Sequence, residues 1–318
     1  MLAFVLSTFC LAAAAHPDST VEAVSNGDEQ KLKILIGQSP DCVNKLENGY
    51  SPVHAAARAG QLECLKTLIQ AGGRIDTRVI RAGPFGNKED DGASALHLAA
   101  KFGQEKTLKA LIDAGAKTSA LDEQGRQALH LAAAHGGLAC VRLLVEHYKL
   151  DPEIVDDRGL NCLQHAATGG QLQTLIFLQS RGSSLKAKDS KGNNLLHLAI
   201  ESGDVGVAQF LLTHGFELDS PDSQGRLPIH RAAQLGHLDL LRFIASKQAI
   251  DIRDAKGWTA FHYAVAAGAG PQVYDYLTHL GADPGAITKS QENLASLAQS
   301  FRQISPYQTW LLQNEFRK

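Results

Sequence analysis

The sequence predicts an all-α solenoid of stacked helical pairs, and two observations support this fold class. The phrase G-x-x-A-L-H-L-A-A occurs twice, opening at Gly92 and again 33 residues later at Gly125. A fixed period in this range is typical of proteins built from stacked repeats. The composition fits the same fold, because 44% apolar but only 6% aromatic residues favour Ala and Leu packing between closely spaced helices.

The period continues through most of the chain. Seven repeats open with a glycine, at Gly49, Gly92, Gly125, Gly159, Gly192, Gly225 and Gly257. Five residues after the glycine stand His54, His97, His130, Gln164, His197, His230 and His262. Because stacked helices lie roughly 8–10 Å apart, successive histidines are poorly placed to share a metal ion. We expect each histidine instead to hydrogen-bond to the backbone and hold the loop of its repeat in place.

Capping, turn and packing residues recur at the same period. Ser51, Ser94 and Thr259 stand where a hydroxyl can cap the first helix of a repeat, and alanine pairs in five repeats allow close helix packing. Apolar residues spaced by three and four place one face of each second helix against the stack. Glycines expected to take positive φ between the two helices are Gly60, Gly103, Gly136, Gly170, Gly203 and Gly236.

These phrases resemble the ankyrin repeat. SPVHAAARAGQ (51–61), SALHLAAKFGQ (94–104), QALHLAAAHGG (127–137) and LPIHRAAQLGH (227–237) are similar to its pattern T-P-L-H-x-A-A followed by a glycine turn. The resemblance covers nearly all of residues 18–312. It implies an all-α ankyrin-repeat solenoid with a helix-turn-helix and a β-hairpin loop in each repeat, and it implies a function in binding other proteins.

The repeat pattern divides the chain into an array with atypical ends. Residues 17–48 are expected to form an N-terminal capping repeat, residues 49–284 seven repeats, and residues 285–318 a degenerate C-terminal capping repeat with Ser296 at the histidine position. The step from Gly49 to Gly92 is longer than the others and predicts an insert at 79–91. This insert is either a tolerated surface loop or a binding finger that presents Arg81, Phe85 and Lys88.

Residues 1–15, MLAFVLSTFCLAAAA, are uncharged and end in small residues, as a secretory signal peptide does. No Lys or Arg precedes the apolar run, so a hydrophobic first helix that packs on the next repeat is the alternative. With a signal peptide the protein is expected to be secreted or periplasmic; otherwise we expect a cytoplasmic protein.

Two rows of residues are predicted to face a partner, on the loop tips and on the first helices that line the concave side of such arrays. The position after each opening glycine supplies Tyr50, Arg126, Arg226 and Trp258. The position two residues before each inter-helix glycine supplies Arg58 and Lys101. Tyr, Trp and Arg are the residue types enriched at interface hot spots.

Composition and motifs point away from other chemistry. The formal net charge of −2 argues against a nucleic-acid partner. The sequence contains no catalytic, metal-binding or cofactor-binding motif, and Cys162 at a helix start is expected to pack rather than react. No apolar run is long enough to span a bilayer, and no small-molecule substrate is evident.

We therefore expect a monomeric, non-enzymatic module that binds another protein. The alternatives are a regulatory or inhibitory subunit of an enzyme and a secreted, host-directed effector.

Overall fold

The computed structural model describes residues 19–80, 88–300, 306, 307 and 309–311. It divides into two compact units, Met1–Glu123 and Gln124–Lys318, which are described separately below. The regular structure of the described residues is helical, with two isolated β-bridges, Glu47 with Tyr50 and Arg78 with Ser94. The candidate signal peptide at 1–15 lies outside the described residues.

The first unit contains three helical pairs. Their bounds are α1 (Thr20–Ser25), α2 (Glu29–Gln38), α3 (Pro52–Ala59), α4 (Leu62–Gln70), α5 (Ala95–Lys101) and α6 (Glu105–Asp113). The first helices α1, α3 and α5 pack in sequence, and so do the second helices α2, α4 and α6. Short 3₁₀ turns at Pro40–Asn44 and Lys88–Asp90 lie in the connections between pairs.

The second unit continues the same pattern. Its helices are α7 (Ala128–Leu131), α8 (Leu138–Arg142), α9 (Cys162–Thr168), α10 (Leu172–Ser180), α11 (Leu195–Ser202), α12 (Val205–Thr213), α13 (Pro228–Leu235), α14 (Leu238–Ala245), α15 (Ala260–Ala267), α16 (Pro271–His279) and α17 (Leu294–Ser300). Two of them continue as π-helical segments, α7 over Ala132–Gly136 and α8 over Leu143–His147. The first helices α9, α11, α13, α15 and α17 each contact the next.

The repeated histidine fixes each first helix to the loop that follows its repeat. In the second repeat of the first unit, the His54 Nδ1 accepts a hydrogen bond from the backbone N–H of Ser51 at 3.0 Å, and Nε2 donates to the Thr77 carbonyl at 2.9 Å. The same Nε2-to-carbonyl bond is made by His130, His197, His230 and His262. The prediction of a loop-fixing histidine is confirmed at these positions.

Alanine pairs and apolar stripes form the core as predicted. Both alanines of the five pairs are fully buried, and so are leucines such as Leu65, Leu108 and Leu175 on the second helices. Because protein interiors are packed at the density of organic crystals, a side chain larger than Ala at the paired positions would force the first helices apart.

The loops between repeats are turns rather than β-hairpins. In the described residues each is closed by few backbone hydrogen bonds, such as Asp156 N–H to the Leu160 carbonyl at 3.0 Å. The Asp156 carboxylate accepts from the N–H groups of Arg158 and Leu160 and so shapes the turn from within. The β-hairpin part of the predicted repeat is therefore reduced to isolated bridges, because the turn residues bond to this side chain and leave no ladder to extend.

The prediction of a positive φ is wrong for one of the glycines between helices. Positive φ occurs at Gly137 (φ 80°) and not at Gly136, because the preceding helix ends in a π-helical turn that adds a residue. The next first helix approaches this turn closely. A Cβ built on Gly169 would lie 2.1 Å from the carbonyl oxygen of Ala134, so only glycine fits at this contact.

In the C-terminal repeat, Ser296 takes the place of the repeated histidine. The Ser296 Oγ accepts from the Asn293 N–H at 3.0 Å, the role that a histidine Nδ1 has in the other repeats. Beyond α17, Tyr307 and Trp310 are buried against Phe261 and Tyr274, and Trp310 donates to Asp275 at 2.6 Å.

Candidate functional site

The structure of the first unit brings two predicted partner residues to one buried carboxylate. The Tyr50 hydroxyl donates to Asp90 Oδ2 at 2.9 Å, and Lys101 Nζ lies 2.8 Å from Asp90 Oδ1. Asp90 stands at the end of the insert and is only 1% exposed. Burial and the negative charge of Asp90 raise the pKa of the Tyr50 phenol. Tyr50, which precedes α3, and Lys101 at the end of α5 therefore both hold the end of the insert.

An aromatic and cationic surface lies beside this carboxylate. The Arg58 guanidinium lies 4.9 Å from the centroid of the Phe102 ring, and Phe102 is 40% exposed. Lys88 is exposed at the start of the 3₁₀ turn. The other insert residues proposed from the sequence, Arg81 and Phe85, lie outside the described residues. Tyr50, Arg58, Asp90, Lys101 and Phe102 are called the Tyr50 cluster below.

The second unit brings both predicted rows together in a cavity. This cavity, called the Trp258 pocket below, has a volume of about 220 Å³ and lies between two successive loops and the helices α13 and α15. Its lining residues are Gln224, Arg226, Gln234, Lys256, Trp258, Tyr263, Ala266 and Ala267. Arg226 and Trp258 come from the row after the opening glycine. Gln234 and Ala266 belong to the other row, because they stand two residues before the inter-helix glycines Gly236 and Gly268.

Hydrogen bonds hold the Arg226 guanidinium in the pocket wall. Nε donates to Asp222 Oδ2 at 2.7 Å, and Nη1 donates to Gln234 Oε1 at 3.1 Å. Although burial alone would raise the pKa of Asp222, hydrogen bonds from Arg226 lower it below its usual value. Within the described residues no group accepts from Nη2, so this nitrogen can bind an external acceptor. The guanidinium is thus oriented before any partner arrives.

An aromatic pair also lines the pocket. The rings of Trp258 and Tyr263 lie 4.9 Å apart between centroids, and the Tyr263 hydroxyl donates to Asp254 Oδ2 at 2.7 Å. Asp254 also accepts from the N–H groups of Lys256 and Trp258. Burial and Asp254 raise the pKa of Tyr263, so this phenol stays protonated and keeps its bond to the carboxylate.

The expectation of an exposed side chain is wrong at Arg126. Arg126 is 9% exposed, and Leu160 in the same row is fully buried. In two other repeats a residue of this row lies beside the ring of the repeated histidine, Tyr50 against His54 and Trp258 against His262. Arg126 therefore offers a partner little surface.

Sequence reasoning missed Tyr263, Lys256 and Gln224 in the second unit and Asp90 and Phe102 in the first. Tyr263 follows the repeated histidine directly, a position that is mostly aliphatic in the other repeats. A polar aromatic residue there is a signal that could have been found. Asp90 gives no such signal, since its partners Tyr50 and Lys101 are distant in sequence.

A second cavity and a buried cysteine lie outside these two sites. A larger cavity of about 430 Å³ lies at the ends of α12 and α14, away from both rows, and is lined by residues such as Phe216, Lys247 and Gln248. Cys162 is fully buried, and burial raises the pKa of its thiol, which opposes reactivity. No cluster of metal-ligating side chains and no helix long and apolar enough to cross a membrane occurs in the part of the chain that is described.

Curated relatives match short parts of the chain. A segment of 68 residues, 21% of the chain, is 41% identical to "Ankyrin repeat and SOCS box protein 2" of Mus musculus and covers 11% of that protein. The human protein of the same name is 36% identical over 76 residues, which are 24% of this chain and 12% of the relative. "Histone-lysine N-methyltransferase EHMT1" of Homo sapiens is 36% identical over 64 residues, 20% of this chain and 5% of the relative.

The family comparison covers far more of the sequence. The model described as ankyrin repeats (3 copies) matches residues 21–122, 80–156, 129–222 and 217–288. Such repeats are modules for protein–protein interaction. The helical pairs, the loop-fixing histidines and these overlapping matches lead to one conclusion: the chain belongs to the ankyrin repeat family.

Proposed function

We propose that this protein is a non-enzymatic interaction module that binds a partner protein on the loops and first helices of its second unit, at the Trp258 pocket. The observation that carries the proposal is the meeting of both predicted rows in one cavity, with Arg226 and Trp258 in its walls. Clefts with aromatic walls and a few oriented polar groups are the usual form of a binding site.

The side chains of the pocket suit an interface hot spot. Trp and Arg are the residue types that most often dominate binding energy, especially where their conformations are fixed before binding. Arg226 is fixed by Asp222 and Gln234, and Trp258 is packed against Tyr263. We therefore assign Trp258 the role of apolar anchor and Arg226 that of polar anchor.

The test is affinity capture with the full-length protein and defined variants. Wild type should recover a partner that Trp258→Ala and Arg226→Ala recover at least about tenfold less, because each loses a central contact. The matched control is Arg242→Ala on α14, an arginine with a side chain 56% exposed outside the pocket. Equal recovery by wild type and Trp258→Ala would remove the pocket as the partner site.

The two other function classes predict different outcomes of the same capture. A regulatory or inhibitory subunit should recover an enzyme and change its turnover, whereas an effector should recover proteins of another organism. The relatives named above do not favour either of these two functions, because the matched segments are a small part of each relative. Turnover by the isolated chain, with Trp258→Ala as control, would contradict a binding-only function.

Arg58, Lys88, Arg81 and Phe85 remain predictions for a second contact beside the Tyr50 cluster. The exposed Phe102 with Arg58 above its ring supports a surface of this kind in the first unit. Arg58→Ala should then weaken partner capture, while Lys66→Ala on α4, a lysine with a side chain 51% exposed that pairs with Glu63, should leave it unchanged.

We further propose that the protein is exported by a signal peptide at residues 1–15. The apolar run and the three alanines before His16 support this proposal. N-terminal sequencing of protein purified from its native host should begin near His16. An intact Met1 would contradict export by cleavage and would favour the cytoplasmic alternative.

A further inference from the structure

The loops of the second unit display basic residues at one position. The residue directly before the opening glycine is Arg158, Lys191 and Lys256 in three of these repeats, and each side chain is exposed. Gln224 holds the same position between Lys191 and Lys256. Backbone bonds join successive loops, because the Arg158 carbonyl accepts from Ser190 N–H and the Lys256 carbonyl accepts from Lys289 N–H, both at 3.1 Å. Since the first helices α9, α11, α13 and α15 pack in sequence, these cations follow one another along the unit.

One acidic residue of each of these turns is bonded within its own loop. Asp156 and Asp254 are buried, the Asp222 side chain is 4% exposed, and the three carboxylates accept hydrogen bonds from backbone N–H groups of their own turns. Although burial raises the pKa of Asp156 and Asp222, hydrogen bonds lower it below the usual value, chiefly from the His165 side chain for Asp156 and from the Arg226 backbone for Asp222, so these carboxylates are charged and already satisfied. The carboxylates that shape these turns are thus already bonded, whereas Asp157 beside Arg158 is exposed.

Few carboxylates on the neighbouring first helices compete for these cations. Glu201 on α11 pairs with Arg231 at 3.1 Å and lies 4.0 Å from Arg158. The Arg231 guanidinium also donates to Gln234, which accepts from Arg226 as well. The polar groups of this face therefore form one network that ends at the Trp258 pocket with the open Nη2 of Arg226.

We propose that the Trp258 pocket and the basic loop residues bind an acidic, extended segment of the partner protein. The proposal deepens the proposed function and rests on it. One carboxylate side chain enters the pocket and accepts from Arg226 Nη2, with its methylene groups against Trp258. The pocket is smaller than a typical drug-sized site of roughly 300–1,000 Å³, which fits a single side chain.

The spacing of the repeats sets the spacing of the acids. Packed helices lie roughly 8–10 Å apart and an extended chain advances about 3.3 Å per residue, so one repeat corresponds to about three residues of the segment. Acidic residues spaced by about three would then meet Lys256, Arg226 with Gln224, Lys191 and Arg158 in turn. A nucleic acid strand is the other polyanion, but aromatic walls and a near-neutral chain favour the peptide.

The experiment selects a phage library of random linear peptides on the full-length protein, with Trp258→Ala protein used to remove binders that do not need the pocket. The selected peptides should be enriched in Asp and Glu at about three-residue spacing. Binding of a selected synthetic peptide should weaken about two- to fivefold in Lys256→Ala and about tenfold in Arg158→Ala/Lys256→Ala. Lys247→Ala, an exposed lysine after α14, is the matched control and should bind as wild type does.

Three results would overturn the proposal. Selected peptides that are not enriched in acidic residues would contradict the binding of an acidic segment. If these peptides still need Trp258, the proposed binding face would remain supported. Equal affinity of wild type and Arg158→Ala/Lys256→Ala for the synthetic peptide would also contradict the binding of an acidic segment. Displacement of the peptide by a single-stranded DNA oligonucleotide of equal charge, at equal concentration, would assign the surface to nucleic acid instead.

Discussion

At the scale of single residues, the histidines decide how firmly each loop is held. In His54, His230 and His262, Nδ1 accepts from a backbone N–H while Nε2 donates to a carbonyl. Only the neutral ring with its proton on Nε2 can do both, since a protonated Nδ1 would face another donor. The fixation of the loops is therefore a property of the neutral histidines.

This requirement predicts a pH dependence of stability. Burial lowers the pKa of His54 to about 4 and lowers that of His197, His230 and His262 as well. Below about pH 6.5 the unfolded chain binds protons that the folded one does not, so stability is complete above that pH and falls as the pH drops toward 4.

Urea unfolding at a series of pH values measures this effect. The midpoint should be constant from about pH 8 to pH 7 and then decrease steadily, with each histidine contributing up to about 1.4 kcal/mol per pH unit. A midpoint that is the same at about pH 7 and pH 5 would contradict the account of the neutral histidines.

Among the seven repeats, the one that has Gln164 in place of the histidine can be stabilised by substitution. Gln164 Oε1 accepts from the Asn161 N–H at 2.9 Å, as a histidine Nδ1 would, but Gln164 Nε2 is buried without a partner. In four other repeats of the second unit, the histidine Nε2 donates to a backbone carbonyl two residues before the position that is Asp in most of the turns. In the repeat that contains Gln164, the equivalent carbonyl belongs to Ala187. Gln164→His should therefore raise the free energy of unfolding by about 1 kcal/mol.

Gln164→Leu is the control for this substitution. It removes the acceptor for Asn161 N–H and should destabilise the protein by about 1–3 kcal/mol. Urea denaturation of the three proteins at neutral pH gives both values. Gln164→His that is less stable than wild type would show that the ring cannot be accommodated in this repeat.

At the scale of helices, contact between first helices is set by very small residues. The Cβ that alanine would add at Gly169 meets the Ala134 carbonyl oxygen at 2.1 Å, where the preceding helix has its π-helical turn. Gly37, by contrast, lies in α2 with nothing within 4 Å of its Cβ position. The same substitution should therefore have opposite effects at the two sites.

Gly169→Ala should lower the free energy of unfolding by about 1–3 kcal/mol through overpacking, whereas Gly37→Ala should raise it by about 0.5–1 kcal/mol through helix propensity. Thermal or urea denaturation of both variants measures the difference. Equal stability of Gly169→Ala and wild type would mean that α9 moves freely away from the π-helical turn.

At the scale of the whole molecule, the repeat fold could be predicted from the sequence and the pocket could not. Most repeats contain one histidine and one opening glycine at a fixed spacing. These local signals predict where the helices lie along the sequence. Arg126 and Arg226 occupy the same position of the repeat, yet one is buried and the other lines the pocket.

That difference depends on side chains supplied by neighbouring elements. Arg226, with a side chain that is 13% exposed, is held in the pocket wall by Asp222 in its loop and by Gln234 on α13. The Tyr50 cluster is similar, because Asp90 meets Tyr50 and Lys101 only after folding. Periodicity identifies the positions that can face a partner, while packing decides which of them do.

The binding face of the second unit is tested most directly by hydrogen–deuterium exchange of the protein with and without its captured partner. We predict slower exchange in the bound state over residues 222–234 and 254–267, which contain the loops and first helices of the Trp258 pocket. Exchange in α12 and α14 should be unchanged. Protection confined to α12 and α14, with the pocket segments unaffected, would contradict the proposed binding face.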